Sequence, residues 1–395
     1  MKICGIIGEF NPFHNGHAYL MNAAKRESGC DAVVCVMSGN FTQRGSAACQ
    51  NKFIRAEHAV LAGADAVVEL PAVFAVAPAE IFAKGAVKLF SSLPAFAVLC
   101  FGAEDADSGR IRRTAQILTD ESPAFRRILR GHLEAGMSLA KARTQTLRET
   151  GEESLAALTE KPNNILAVEY AKALSALRSG AEILPVPRKG PDYSDETLYR
   201  GFSSASAVRA ACAAGKIRQA KKSVPAYCAA DLEHLTDISL FETMTVYAAL
   251  AAPAKKIAET ADCAEGLENR IKALAADTSS YGALVAGATG KRYTSSRIRR
   301  ILACNALNLT RDLADRALKS PLYLNVLAVR EDRADELFHA LGAGENRLLV
   351  GRGDAGALTK CAKESCARDR FCADVYNLLA PGRFDTAGTH FVKIS

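Results

Sequence analysis

The chain has 395 residues, 49% of them hydrophobic and 24% charged, and its 50 lysines and arginines against 43 aspartates and glutamates leave a net charge of +7. This is the composition of an ordinary globular protein, and it excludes disordered, fibrous and coiled-coil proteins. The length predicts two or three domains with enough residues for a sizeable core.

The apolar stretches of the chain are too short for membrane insertion or export. Residues 70–79 contain Pro71 and Pro78 and fall well short of the roughly 20 apolar residues that a membrane span needs. Residues 3–8, which precede Glu9, are too few for the core of a signal peptide. The 12 cysteines include no Cys-x-x-Cys pair, so we expect free thiols rather than a zinc site. The sequence therefore predicts a cytoplasmic protein with no membrane partner.

Short apolar runs alternate with helical patterns in the first half of the chain. Strands are predicted at residues 2–8, 32–37, 66–70, 97–102 and 182–186, and helices at residues 17–28, 52–62, 80–92 and 165–177. Strands that alternate with such helices indicate right-handed crossovers and a parallel, doubly wound α/β sheet. Residues 123–158 are predicted to form a polar helical insertion before the last of these strands.

The strand pattern fades after about residue 201. Helical periods cover residues 204–214, 217–222 and most of 232–276, and a strand pattern returns at 321–330, followed by a helix-like segment at 333–341 and an apolar run at 348–350. We therefore expect three regions: an α/β domain at 1–210, a helical region at 211–320 and a small α/β region at 321–395.

The segment that follows the first predicted strand contains His14-Asn15-Gly16-His17. Open α/β sheets bind ligands at the carboxyl ends of their strands. Two imidazoles at this spacing can face one anion at the start of a helix, and Gly16 lets the backbone approach that anion closely. Together with the helix N-terminus they suit stabilisation of the charge that develops on an α-phosphate. The alternative is that both histidines are core or capping residues.

A second segment also has the residues of a phosphate site. Ser203 and Ser204 place hydroxyls at a predicted helix N-terminus, and Arg209 follows in the next turn. Hydroxyls and first-turn N–H groups can hold a triphosphate, and an arginine can neutralise the leaving pyrophosphate. The alternative is an ordinary N-cap, but the accompanying histidine motif favours the phosphate interpretation.

Basic residues cluster in three acid-free parts of the chain, at residues 126–130, 209–222 and 291–300. In the last of these, Tyr293 stands among the cations and could stack on a base. Such clusters predict an extended surface for RNA, with a solvated face as the alternative. The candidate RNA contacts are Lys291, Arg292, Arg297, Arg299 and Arg300.

Several motifs together carry a resemblance to a known family. They are Glu9-Phe10-Asn11-Pro12-Phe13-His14-Asn15-Gly16-His17, Met37-Ser38-Gly39-Asn40-Phe41-Thr42-Gln43-Arg44-Gly45, Gly63-Ala64-Asp65, Glu69-Leu70-Pro71, Phe101-Gly102-Ala103-Glu104, Pro162-Asn163-Asn164 and Ser204-Ala205-Ser206-Ala207-Val208-Arg209. With these motifs the chain resembles the His-x-Gly-His nucleotidylyltransferase superfamily and, more closely, the bacterial tRNA(Met) cytidine acetate ligase family. The resemblance covers residues 1–210 and extends with less specificity to the C-terminus.

The resemblance implies that ATP and acetate are used to form N4-acetylcytidine at the wobble position of elongator tRNA(Met). Acetate would attack the α-phosphate to give acetyl-adenylate and pyrophosphate, and the cytidine amine would then take the acetyl group and release AMP. The resemblance also implies a Rossmann-like nucleotidylyltransferase fold for the catalytic region 1–210, with tRNA contacts in region 211–320. Mg²⁺ is expected on the triphosphate, although no acidic ligand cluster is evident.

The motifs and the resemblance together assign individual residues. His14 and His17 are the expected catalytic residues. For the amide contact to the nucleotide we expect Asn164, with its neighbour Asn163 as the alternative. The expected ATP contacts are Ile7, Gly8, Glu9, Phe10, Asn11, Pro12, Phe13, His14, Asn15, Gly16, His17, Ala18, Tyr19, Leu20, Gly102, Asn164, Arg188, Ser204 and Arg209.

Two other functions are compatible with these patterns. One is a small-molecule adenylyltransferase of cofactor biosynthesis, and the other is an RNA-binding protein with a vestigial nucleotide site. The helical half with its basic clusters favours a macromolecular substrate, and the intact histidine motif favours an enzyme. The sequence determines neither the walls of an acetate pocket nor the oligomeric state.

Overall fold

The computed structural model describes residues 1–190, 197–199, 201–278, 280–351, 354–379 and 391–395. Its central feature is an eight-stranded sheet with the order β5-β4-β1-β2-β3-β6-β7, in which β8 also pairs with β6. The strands are β1 (Ile3–Gly8), β2 (Ala32–Ser38), β3 (Ala66–Leu70), β4 (Phe96–Ala103), β5 (Glu182–Pro187), β6 (Tyr323–Arg330), β7 (Arg347–Leu349) and β8 (Val392–Ile394).

Helices cover both faces of this sheet and form the segment between β5 and β6. Within the described ranges, none of them combines the length and the apolar character that crossing a bilayer requires. The helices are α1 (Asn15–Glu27), α2 (Lys52–Leu61), α3 (Ala72–Ala75), α4 (Ala79–Ser91), α5 (Ser108–Asp120), α6 (Pro123–Glu134), α7 (Leu139–Glu149), α8 (Glu153–Leu158), α9 (Pro162–Ala176), α10 (Ala205–Ala213), α11 (Ile217–Ala220), α12 (Ser239–Ala251), α13 (Ala254–Ala258), α14 (Leu267–Asp277), α15 (Tyr281–Ala288), α16 (Ser295–Leu307), α17 (Arg311–Lys319), α18 (Ala334–Gly342) and α19 (Lys360–Leu379).

Strands β1 to β5 pair in parallel, which confirms the predicted doubly wound α/β class. The chain moves from β1 outward to β2 and β3, and then returns to the other side of β1 for β4 and β5. The strand order therefore reverses between β1 and β4, and at such a point a crevice opens at the carboxyl ends of the strands.

The central strands have continuous apolar runs because both of their faces are buried. Ile3 and Ile7 of β1 enter the hydrophobic core on one side of the sheet, whereas Cys4 and Ile6 enter the core on the other side. A third core lies within the helical region, where α12, α14, α15 and α16 bury residues such as Leu284.

The C-terminal strands continue the same sheet. Strand β6 pairs antiparallel with β3, placing Val329 opposite Ala66, and β7 and β8 then pair in parallel with β6. The sequence patterns did not predict this change of direction. The boundaries 1–210, 211–320 and 321–395 stay predictions, and residues 352–353 and 380–390 of the last region lie outside the described part of the chain.

A buried polar cluster joins α19 to the sheet. Nζ of Lys52 donates to both carboxylate oxygens of Glu69, at 3.0 and 2.9 Å, and Nδ2 of Asn325 donates to Oε2 of Glu69 at 2.7 Å. On α19, Oδ1 of Asp369 accepts from the backbone N–H of residue 72 at 2.8 Å, and Oδ2 accepts from the Tyr323 hydroxyl. Burial, followed by the charge of Glu69, raises the pKa of Asp369 to about 7.

This raised pKa predicts how stability depends on pH. The unfolded chain releases the Asp369 proton near the ordinary pKa of 3.8, whereas the folded protein keeps it to about pH 7. The contribution of this group is therefore complete below about pH 4 and is lost as the pH rises to about 7, with an upper limit of about 4 kcal/mol.

Asp369→Asn should flatten this part of the pH profile, because an amide can still accept from the backbone N–H and donate to Tyr323. Urea unfolding at about pH 5 and about pH 8 measures the change in the free energy of unfolding. Asp335→Asn, at an exposed position of α18, is the matched control. A profile for Asp369→Asn as steep as that of the wild type would contradict the assignment.

Candidate active site

A cavity of about 530 Å³ opens at the carboxyl ends of β1, β4 and β5, where the strand order reverses. Helices α1, α4, α9, α10 and α16 add residues to its walls. Most of the expected ATP contacts line this one cavity: Ile7, Gly8, Glu9, Phe10, Asn11, His14, Gly16, His17, Tyr19, Leu20, Gly102, Arg188, Ser204 and Arg209.

The two histidines of the motif cap helix α1 and line the cavity at the same time. The backbone N–H of Gly16 donates to Nδ1 of His14 at 3.0 Å, and the backbone N–H of His14 donates to Nδ1 of His17 at 3.2 Å. Each Nδ1 is therefore an acceptor, and a neutral imidazole in this position carries its proton on Nε2. The two rings stack with their centroids 3.7 Å apart. Capping and ligand binding are therefore compatible, because Nδ1 of each ring caps the helix while Nε2 is left for a ligand.

Both histidines are neutral. Burial, followed by the nearby cations Arg188 and Arg209, lowers the pKa of His14 to about 3. Burial, His14 and Arg188 together hold the pKa of His17 well below its ordinary value. The pair therefore offers N–H donors to a ligand, while the positive charge of the cavity comes from the arginines.

Helix α10 brings the second predicted phosphate element to the histidine loop. Oγ of Ser204 caps this helix by accepting from the backbone N–H of Ala207 at 3.0 Å. Arg209 donates from one guanidinium nitrogen to the carbonyl of Asn11 and from the other to Oγ of Ser206 at 3.2 Å. These bonds place a cation at the edge of the cavity beside the loop that carries His14.

A few expected ATP contacts lie behind the cavity wall. Phe13 is buried against the rings of Phe10 and His17, and Nδ2 of Asn15 donates to the carbonyl of Gly201 at 2.7 Å. Pro12 and Ala18 are likewise absent from the wall, which comprises described residues only. These residues position the motif instead of touching the cavity.

The two candidate asparagines occupy different positions. Asn164 is 1% exposed, and its Oδ1 accepts from the backbone N–H of Asp105 at 3.1 Å. Asn163 lines the cavity, and its Nδ2 donates to Oε1 of Glu104 at 2.5 Å. The geometry therefore favours Asn163 over the expected Asn164 for a side-chain contact with a ligand.

Helix α16 brings only part of the basic cluster to the cavity. Ser295, Ser296 and Arg300 line the wall. Nε of Arg300 donates to Oδ2 of Asp262 at 2.6 Å, and Nε of Arg297 donates to the carbonyl of Asp262 at 2.9 Å. These two arginines are thus bonded to Asp262, which with Glu265 forms a neighbouring acidic segment.

The remaining cations of the cluster differ in their surroundings. Arg292 pairs with Glu265 at 3.1 Å and also donates to the carbonyl of Leu133. Lys291 and Arg299 are exposed. The structure therefore does not gather the five cations into one free patch.

Arg55 of α2 is the main site residue that the sequence patterns missed. It is fully buried, and its guanidinium donates to the carbonyls of Glu9 at 2.6 Å, Ser38 at 3.1 Å and Gln50 at 3.0 Å, and to that of Gly39. An arginine on the apolar face of an amphipathic helix was the available signal. Thr42, Gln43 and Ser46, which also line the cavity, follow β2, and their place at the carboxyl end of a parallel strand was a second signal.

In the described part of the chain, no group of three or more His, Cys, Asp and Glu side chains could hold a metal ion. The cysteines that the structure describes are free thiols, many of them buried in the cores.

Comparison with known proteins gives one consistent result. The family model described as HIGH Nucleotidyl Transferase matches residues 1–385. The chain is 36% identical over 393 residues to the tRNA(Met) cytidine acetate ligase of Clostridium perfringens (strain ATCC 13124), covering 96% of each protein. It is 37% identical over 392 residues to the enzyme of the same name from Caldanaerobacter subterraneus, covering 96% of this chain and 95% of that one.

Two crystal structures of one protein superpose on all or nearly all of this chain. The apo crystal structure of Thermotoga maritima TmcAL superposes with a TM-score of 0.92 at 27% sequence identity, covering 100% of both chains. The structure of the same protein bound with alpha-thio ATP superposes with a TM-score of 0.88 at 27% identity, covering 97% of this chain and 95% of that one.

The role of Arg55 leads to a stability prediction. Arg55→Met leaves the carbonyls of residues 9, 38, 39 and 50 without this donor, which should lower the free energy of unfolding by about 3–5 kcal/mol. Arg55→Lys should recover less than half of the loss, because an ammonium cannot reach carbonyls on several sides. Urea unfolding measures both, with the exposed Arg26→Met as control. A loss below about 1 kcal/mol for Arg55→Met would show that the loops do not depend on this side chain.

Proposed function

The chain belongs to the tRNA(Met) cytidine acetate ligase family, within the HIGH nucleotidyl transferases, and on this premise we propose that it is an ATP-dependent ligase that acetylates N4 of the wobble cytidine of elongator tRNA(Met). The observation that carries the proposal is the cavity itself, in which two neutral imidazoles and two arginines meet at the N-terminus of α1. The similarity to a TmcAL structure bound with alpha-thio ATP supports ATP as the ligand of this cavity.

The first half-reaction is acyl activation. An acetate oxygen attacks the α-phosphorus, the bond from this phosphorus to the pyrophosphate oxygen breaks, and pyrophosphate leaves with the electron pair. The Nε2–H groups of His14 and His17 donate to the α-phosphate oxygens as charge develops on them. Arg188 and Arg209 neutralise the triphosphate and its leaving group.

The second half-reaction transfers the acetyl group. The cytidine N4 lone pair attacks the acetyl carbonyl carbon, the bond from that carbon to the phosphate oxygen breaks, and AMP leaves. No protein nucleophile is required, because the adenylate is the activated species. We expect Mg²⁺ to enter the cavity bound to the triphosphate, since the described residues include no group of three or more His, Cys, Asp and Glu side chains that could hold the ion. A cytoplasmic location is proposed with this substrate.

Conservative variants of the histidines test the first half-reaction. His14→Asn and His17→Asn keep a side-chain acceptor for the helix cap but remove the Nε2–H donor. We expect acetate-dependent exchange of labelled pyrophosphate into ATP, measured with tRNA(Met) present, to fall about 10²–10³-fold in each variant. His339→Asn, an exposed position on α18, is the control.

Unchanged stability together with this loss would assign the effect to chemistry and not to the cap. Exchange within about threefold of the wild type would remove the histidines from the mechanism. Exchange that depends on another small molecule in place of acetate would point to the small-molecule adenylyltransferase.

For RNA binding we propose that Lys291 and Arg299 contact tRNA phosphates, whereas Arg292, Arg297 and Arg300 hold the acidic segment around Asp262 and thereby orient α16. The exposure of the first two side chains and the ion pairs of Arg292 and Arg300 support this division.

Lys291→Gln combined with Arg299→Gln should weaken tRNA(Met) binding and lower the slope of log affinity against log salt by about 1 for each phosphate that is no longer neutralised. Equilibrium binding across a salt series measures this slope. The control is the double variant Lys2→Gln with Arg26→Gln, which removes the same amount of charge at two other exposed positions. Equal slopes for the two double variants would contradict the assignment.

A further inference from the structure

The active-site cavity has an apolar part beside its charged residues. Phe82 of α4, Phe101 of β4 and Leu166 and Tyr170 of α9 line it, and the rings of Phe101 and Tyr170 are 5.5 Å apart. The carboxylate of Glu9 is close enough that, after burial, its charge is a cause of the raised pKa of Tyr170.

Glu9 is the one acidic residue of segment 7–20, which supplies most of the expected ATP contacts. Its carboxylate would repel the phosphate oxygens of ATP and also acetate. Its Oε1 accepts from the backbone N–H of Gln43 at 2.7 Å. This bond ties the carboxyl group to the loop that follows β2, and both Glu9 and Gln43 line the cavity.

Gln43 is the second unexplained group. The residue lines the same cavity, and its side-chain Nε2 is buried without a hydrogen-bond partner among the described residues. A buried amide donor without a partner is destabilising, and sites that bind polar ligands carry such unpaired groups. The bond from the Gln43 backbone N–H to the Glu9 carboxylate keeps these two residues together at the cavity wall.

We propose that Glu9 and Gln43 bind the pairing edge of the target cytosine, and that Glu9 accepts the N4 proton during acetyl transfer. This inference rests on the proposed function. Cytosine presents the N4 amino donor beside the N3 and O2 acceptors, which match the carboxylate of Glu9 and the Nε2–H of Gln43. Uracil would turn its O4 acceptor toward the carboxylate, so the pair also rejects the other pyrimidine.

The step balances without a further reactant. The N4 lone pair forms the bond to the acetyl carbon, the carbon–oxygen bond to AMP breaks, and AMP keeps that electron pair. One N4 proton moves to a carboxylate oxygen of Glu9, which returns it to solvent after the product leaves. Glu9 thus serves the second half-reaction, whereas His14 and His17 serve the first.

The surroundings of Glu9 suit a proton acceptor. Burial raises its pKa, which strengthens the carboxylate as a base, and the Gln43 N–H bond with the cations Arg209, Arg55 and Arg44 opposes this shift and favours the ionised form. In the wild type we therefore expect acetyl transfer to increase with pH as Glu9 ionises, and then to level off. Glu9→Gln removes this limb of the profile.

The test compares the two half-reactions in the full-length protein. In Glu9→Gln, which keeps an acceptor for the Gln43 N–H, single-turnover transfer of labelled acetate to tRNA(Met) should fall at least about 100-fold. The fold-decrease in acetyl transfer in this variant should be at least ten times the fold-decrease in acetate-dependent pyrophosphate exchange. Glu57→Gln, at an exposed position of α2, is the matched control. Equal losses in both half-reactions would overturn the proposal.

Base recognition is measured separately, by binding of anticodon stem-loops that carry C or U at the wobble position, with AMP present. The wild type should prefer C by about tenfold or more, and Glu9→Gln and Gln43→Leu should each lose most of this preference. A preference that survives in both variants would overturn the proposal. A wild type that shows neither exchange nor tRNA acetylation would instead overturn the proposed function, and this inference with it.

Discussion

The guanidinium of Arg55 holds together the loops from which the active site is built. It donates to the carbonyl of Glu9 after β1, to those of Ser38 and Gly39 at the end of β2, and to that of Gln50 before α2. Buried carbonyls need donors, and these four share the Arg55 guanidinium. A planar group with five N–H donors can satisfy them together, so the two loops on neighbouring strands keep one relative position. The distance between Glu9 and Gln43 follows from this constraint.

Helix capping and the proposed catalysis use the same two histidines. The two Nδ1 atoms satisfy N–H groups at the start of α1, which would otherwise lack partners, and this use orients both rings with Nε2 available to a ligand. Because the arginines and burial keep the rings neutral, the proton on each Nε2 is a stable donor. In the proposed function, the two residues that cap α1 therefore also bind phosphate.

Parts of the chain that are distant in sequence complete the site. Gly45 has a φ of +73° and lies against the backbone of Arg299, where a Cβ atom would come within 2.5 Å of the peptide, so the loop after β2 and helix α16 can touch only through a glycine. The Tyr376 hydroxyl of α19 donates to the carbonyl of Ala48 at 3.0 Å and bonds Thr236 at 2.8 Å. The helical and C-terminal regions therefore support the cavity wall directly.

The sequence by itself determined the five strands of the first half, its helices other than α3 and α5, the parallel sheet and the place of His14-Asn15-Gly16-His17 at the end of β1. These features depend on local periodicity, helix caps and the handedness of crossovers, all of which can be read from neighbouring residues. Only the tertiary structure decided the antiparallel direction of β6, the burial of Arg55, the choice between Asn163 and Asn164 at the cavity, and the division of the basic cluster by Asp262 and Glu265. Each of these outcomes depends on which groups meet across long sequence separations, because a buried donor or charge takes its partner from whatever the fold brings within hydrogen-bond distance.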